Sequence, residues 1–167
     1  VMRRWLGVLT AVLMLAHGSA FAHKPSDSYL TLAVDGATIT GQWDIALRDL
    51  DVALQLDRDQ DGAITWGEVK AKHAAIASYA LSRLTLGPAT APCVPVVTDH
   101  LVDDHSDGAY AVMRFTATCA ASSSTLDVGY RLFAEFDASH RGLLKLSAAG
   151  VTSTAILAAD VPSRPLS

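Results

Sequence analysis

The chain has 167 residues, with 13 Lys and Arg against 17 Asp and Glu, so its formal charge is −4. Half of its residues are hydrophobic, which is enough to build a core, and the charge is neither large nor clustered in a basic stripe. That composition argues against nucleic acid as partner.

Met2-Arg3-Arg4-Trp5 opens the chain with a short basic segment, and an apolar run of 11 residues follows, from Leu6 to Ala16. That run is too short to cross a bilayer and has the length of a signal-peptide core. Ala20-Phe21-Ala22 supplies the small-x-small cleavage pattern, so residues 1–22 are expected to be removed and the mature chain to begin at His23. The alternative for this stretch is a buried N-terminal helix. No Cys follows the apolar run, which argues against a lipid-anchored start. Cleavage takes Arg3 and Arg4 away from the 13 basic residues, leaving 11 against 17 acids and a mature charge of −6. No other apolar run reaches membrane-spanning length, so the expectation is one exported, soluble domain over 23–160 with a flexible tail over 161–167.

Cys93 and Cys119 are the two cysteines. In an oxidising compartment they are most simply one disulfide, with two separate buried thiols as the alternative.

In chain order, Leu30, Leu32 and Val34 alternate with Thr31 and Ala33, the period of a half-buried strand. Asp35-Gly36 reads as a two-residue hairpin turn. The return strand places Ile39, Gly41, Trp43, Ile45 and Leu47 on one face. Asp49 is the expected N-cap of a short helix through Leu56, with Leu50, Ala53 and Leu54 on its apolar side.

Next comes Asp57-Arg58-Asp59-Gln60-Asp61-Gly62-Ala63-Ile64-Thr65-Trp66-Gly67-Glu68, which fills every diagnostic position of D-x-[DN]-x-[DN]-G-x5-E, the EF-hand calcium loop. Ca²⁺ is a hard cation that takes six to eight oxygens, and alternate residues of a tight loop can aim carboxylates at one point. The expected ligands are Asp57, Asp59 and Asp61 by side chain and Ala63 by its backbone carbonyl. Thr65 would coordinate directly or through water, and Glu68 with both carboxylate oxygens. Gly62 permits the sharp turn. The bland alternative is a polar Asp/Gly turn between two helices. Thr65-x-x-Glu68 also reads as a capping box, starting an exit helix expected from Trp66 to Leu84. Val69, His73, Ile76, Ala77, Ala80 and Leu84 recur on it at helical spacing.

The breaker-rich stretch 87–95 leads to a second β region. Val96–Val102 and Tyr110–Cys119 form an expected hairpin around Asp103–Gly108. Leu126 to Phe136 alternates as one strand, and Leu144, Leu146 and Val151–Leu157 complete the set around Gly150. Asp137–Gly142 imitates the start of a calcium loop but has Arg141 at position five and Ala148 at position twelve, so it reads as a turn. The fold expected is α+β: mainly a β sandwich of about seven strands, in the manner of an immunoglobulin domain, with an EF-hand helix–loop–helix inserted at about 49–84.

His23-Lys24-Pro25-Ser26-Asp27-Ser28-Tyr29-Leu30 and His105-Ser106-Asp107-Gly108-Ala109-Tyr110, together with the calcium loop, resemble the extracytoplasmic region of bacterial HupE/UreJ-like membrane proteins. The resemblance covers roughly residues 22–160. It implies an exported domain that precedes transmembrane helices, in a family associated with nickel uptake. The sequence reaches Ser167 without such helices, so the expectation is a stand-alone version or a piece of a longer protein, acting as a periplasmic accessory or sensing domain.

Three functional readings follow: a calcium-binding exported module with a mainly structural ion, a calcium-responsive sensing or docking domain, and transition-metal binding through the mature N-terminal His23. The last needs further ligands, for which His100, His105 and His140 are the candidates. No G-x-S-x-G, H-E-x-x-H, P-loop or dinucleotide fingerprint occurs, so catalysis is not expected. Calcium is the expected partner, with a membrane protein or membrane domain as a second; nucleic acid is not expected.

Overall fold

The computed structural model describes residues 27–122, 125–161 and 165–166. The expected signal segment 1–22, His23, and most of the expected tail lie outside the described residues.

Alternation of apolar and polar residues makes β1 (Asp27–Asp35) and β2 (Thr38–Ala46), paired antiparallel with Leu30 opposite Trp43. The turn is Gly36-Ala37, one residue later than Asp35-Gly36, because Asp35 already pairs with Thr38. Gly36 has φ 60°, the left-handed value that the first central position of a type II′ turn requires.

β2 runs directly into α1 (Leu47–Leu54), whose N-cap is Ala46 with no side-chain cap. The expected Asp49 cap is therefore wrong: Asp49 lies in the first helical turn, where an acid suits the helix dipole. Burial of Leu47 and Leu50 sets the earlier start. The exit segment is two helices, α2 (Trp66–Ala71) and α3 (His73–Leu81), broken at Lys72. It stops short of Leu84, because Leu84–Leu86 forms a short strand, β3, that pairs with β6.

β4 (Val94–His105) and β5 (Gly108–Thr118) form a hairpin longer than expected, turning at Ser106-Asp107, with a register shift between Val97 and Asp99. β6 (Leu126–Tyr130) ends six residues before Phe136. There Arg131 N–H donates to the Arg83 carbonyl and Phe133 takes φ 58°, so the chain turns and buries Phe133 while Phe136 stays exposed. β7 (Arg141–Ala148) and β8 (Val151–Leu157) pair around Ala149-Gly150, both at positive φ. β9 (Pro165–Leu166) pairs with Leu126–Asp127.

These strands form a six-stranded sheet in the order β4-β5-β2-β1-β7-β8 and a small sheet in the order β3-β6-β9. The large sheet is mixed, since β1 and β7 run parallel. The protein is thus mainly β, with nine strands among the described residues rather than about seven, divided six and three rather than in the four-plus-three of an immunoglobulin constant domain. One hydrophobic cluster joins Leu30, Trp43 and Phe115 of the large sheet to Leu50 and Ile76 of the helices and to Val128 of the small sheet. Cys93 and Cys119 are bonded, closing the open end of the β4–β5 hairpin.

Candidate metal centre

The loop hangs between α1 and α2, and buried side chains fix both of its ends. On the entry side α1 ends with Gln55 in the left-handed region, and Leu56 is fully buried just before Asp57. On the exit side Thr65 caps α2, and Val69 anchors that helix in the core. Residues between these anchors are mostly exposed and polar, so hydrogen bonds rather than packing set their conformation.

Asp57 N–H donates to Asp51 Oδ1 at 2.9 Å, tying the first loop residue back to α1. Gly62 N–H reaches across the loop to Asp57 Oδ2 at 2.9 Å, and Ala63 N–H donates to Asp61 Oδ1 at 2.8 Å. Gly62 holds φ 86°, so the expected role of this glycine is met by its backbone. The result brings Asp57, Asp59 and Asp61 together, with one oxygen of each within 4.8 Å of the others. Asp57 Oδ1 is buried and has no hydrogen-bond partner. A buried carboxylate oxygen without a donor is costly, and carboxylate oxygen is a ligand type that hard cations take.

Glu68 stands outside that group of three. Its Oε2 accepts from both the backbone N–H and the hydroxyl of Thr65, at 2.9 and 2.8 Å, and its Oε1 accepts from Arg58 N–H at 2.8 Å. These bonds, from the Thr65 backbone first, hold its carboxyl below the usual range and keep it ionised. Thr65 completes the reciprocal capping box that the sequence predicts. Three carboxylates converge in the loop and the fourth, Glu68, stands at its exit; all of their oxygens are hard donors of the kind Ca²⁺ takes.

Two contacts that local spacing did not reveal support the loop. Asp51 is one, and Lys72 is the other: its Nζ donates to the Leu54 carbonyl at 2.9 Å, joining the end of α1 to the α2–α3 junction. Asp51 and Lys72 also line a cleft of about 570 Å³ behind the loop. On the other side Ile64, the eighth loop residue, packs on the main core, and with Gly62 it borders a cleft of about 220 Å³. The opposite wall of that cleft is Gly108–Tyr110 at the β4–β5 turn.

None of the described histidines joins the Asp57, Asp59 and Asp61 group. His140 is buried and bonded to the Tyr130 hydroxyl. His105 pairs with Asp44 at 3.3 Å and stacks on Tyr110. His100 stacks on His73. Among the described residues, Asp57, Asp59 and Asp61 form the only group of three potential ligands this close, so His100, His105 and His140 do not assemble a site. The Tyr29 ring, however, lies 5.1 Å from that of His105 and 5.9 Å from that of Tyr110, so β1 and the β4–β5 turn meet at one end of the large sheet.

The disulfide points to an oxidising compartment outside the cytoplasm. No helix among the described residues is long and apolar enough to cross a membrane. No protein-family model matches the chain, and no curated protein matches it.

Proposed function

We propose that residues 57–68 are an EF-hand calcium site and that the protein is an exported, periplasmic calcium-binding module whose ion is mainly structural. The observation that carries this reading is the convergence of Asp57, Asp59 and Asp61 with one buried Asp57 oxygen left without a donor. Calcium would take those oxygens, with Ala63 by its carbonyl and Thr65 directly or through water. Glu68 would supply its carboxylate by exchanging its present backbone hydrogen bonds for the ion. The structural role rests on how the helices are held. Lys72 already joins α1 to the α2–α3 junction, and Ile64 is packed on the core, so little surface is left for the ion to release.

A domain outside the cytoplasm meets calcium at levels that suit extracellular-type affinities of about 10⁻⁴–10⁻³ M. Saturation at about one hundred times Kd stabilises the folded state by about 2.7 kcal/mol. The expected outcome is a melting temperature that rises with Ca²⁺ and returns with chelator, while Glu68→Gln loses most of the rise. Equal melting of the wild type in calcium and in chelator sinks the proposal.

A second reading rests on the meeting of Tyr29 with His105 and Tyr110. Both segments that resemble HupE/UreJ-like proteins contribute to that one feature, beside the cleft bordered by Gly62 and Ile64. In this reading the domain senses calcium for a membrane metal-transport system. Calcium-dependent binding of a hydrophobic dye, or calcium-dependent dimerisation, would favour it over a purely structural ion.

A further inference from the structure

The exit helices of the loop meet the large sheet through an aromatic stack that the calcium reading does not use. Trp66, the tenth residue of the loop, lies 5.2 Å from the ring of His73, the first residue of α3. His73 in turn stacks on His100 of β4, with ring centroids 4.1 Å apart and planes within 8°. We infer that the His73–His100 stack is a proton-operated latch that fastens the loop's exit helices to the sheet, closed when both rings are neutral and released by acid.

The surroundings favour neutral rings. His73 Nε2 is buried without a hydrogen-bond partner. In a neutral ring that nitrogen can be the bare acceptor, at small cost, but in the cation it becomes an N–H with nowhere to donate. Charging both rings would also place two positive charges face to face across the stack. The charged groups facing the pair do not offset this. Lys70 on α2 adds positive charge near His73. Asp99 on β4 opposes the effect by favouring a charged His100, but more weakly than burial and His73 lower it; its carboxylate accepts the His100 backbone N–H and lies 4.0 Å from Arg114 of β5. The β5 residue paired with His100 is Met113, which is apolar. No described carboxylate lies within ion-pair distance of either ring, in contrast to His105, which has Asp44.

Burial, reinforced by Lys70 at His73 and by the neighbouring imidazole at His100, holds both groups below the ordinary histidine range. The sign follows. The latch is complete above about pH 6.5 and is lost as pH falls through the lowered values. The stack is not a metal pair, because parallel ring planes send their lone pairs side by side rather than to a common point.

The link to the loop rests on the calcium reading, but the latch itself does not, and two measurements separate them. The first follows the imidazole and Trp66 indole resonances by NMR in the calcium-free protein from pH 8 to about 4.5, a span chosen to bracket the ordinary histidine value. His73 and His100 are expected to titrate below that value, with the Trp66 resonance moving alongside. In H73F/H100F, which keeps a stack without charge, Trp66 should stay still. Ordinary titration of both histidines, or an unmoved Trp66 in the wild type, overturns the latch. The second measures Ca²⁺ affinity at pH 7.5 and 5. Between them the wild type should weaken at least about fivefold more than H73F/H100F, the lower end of usual site-to-site coupling. Equal weakening overturns the coupling to the loop. Absence of calcium binding in both proteins overturns the calcium reading and leaves the first measurement to judge the latch. Should the double variant not fold, H73Q removes the neighbouring imidazole and should raise the His100 titration point; an unchanged value overturns the latch.

Discussion

Asp57 is asked to do two things with one carboxylate. Oδ2 closes the loop by accepting Gly62 N–H, whereas Oδ1 is buried without a hydrogen-bond partner, in a carboxylate that clusters with Asp59 and Asp61. Asp57→Asn tests this division, because it keeps the shape and the acceptor for Gly62. It replaces the orphaned oxygen with an amide that can donate to Asp59 or Asp61. Calcium affinity should fall more than about tenfold, a loss of at least about 1.4 kcal/mol. The same variant in chelator should melt no lower than the wild type, because repulsion within the cluster is relieved. A lower melting temperature in chelator would mean that the charge on Asp57 serves the fold rather than an ion. Calorimetric titration and a thermal melt give both answers.

At the scale of elements, the parts legible in the sequence are those whose signal is local. β1, β2, β5, β7 and β8 alternate because one face of the large sheet packs on the core, and the grouping of Asp57, Asp59 and Asp61 is readable because alternate spacing in a tight loop brings them together. The misreadings arise where a distant contact overrides local pattern. Leu84 continues the helical spacing of Ile76 and Ala80, yet Leu84 and Leu86 are needed opposite Tyr130 and Val128. The exit helix breaks at Lys72 with neither Gly nor Pro there, and the Lys72 bond to Leu54, 18 residues earlier, is a tertiary contact. The stack of His73 on His100 is invisible for the same reason.

The disulfide is the case in which a distant contact could be expected, and it fastens elements rather than single residues. Cys93 immediately precedes β4 and Cys119 immediately follows β5, beside the paired Val94 and Thr118. Constraining 26 residues of unfolded chain stabilises the fold by about 3.5 kcal/mol in the chain-entropy model. Replacing both cysteines with Ala should therefore lower unfolding free energy by about 2–4 kcal/mol in urea, with the native spectrum retained. Unchanged stability would mean that the β4–β5 pairing alone organises this end in the unfolded chain as well.

For the whole molecule, the tie between the two sheets that can be switched is a buried polar chain. Trp43 Nε1 donates to Ser28 Oγ at 3.0 Å, Ser28 Oγ lies 2.8 Å from the Tyr130 hydroxyl, and that hydroxyl meets His140 Nε2. Ser28 and Trp43 belong to the large sheet, Tyr130 to the small one, and His140 to the turn before β7; all four are buried. Indole N–H can only donate, so Ser28 Oγ accepts from Trp43; with the neutral imidazole protonated on Nδ1, the chain continues from Ser28 to Tyr130 to His140, with Nε2 as final acceptor. A proton on Nε2 would reverse the Tyr130 and Ser28 donors at once. Burial, helped by Arg141 and opposed by Asp137, accordingly pushes His140 down to about 4. Unfolded histidine titrates near 6.5, so the unfolded chain binds more protons between these values and the fold loses stability as pH drops through them. The full loss is on the order of 3 kcal/mol. Urea unfolding in chelator at pH 7.5, 6, 5 and 4, pH values spaced across that window, should give a markedly flatter profile for His140→Gln than for the wild type. Gln keeps an acceptor for Tyr130 and cannot charge, so any lower stability it shows at pH 7.5 measures lost packing, and the difference in slope measures the proton. Parallel profiles would assign the acid sensitivity of the fold to other groups, with the His73–His100 stack the first to test.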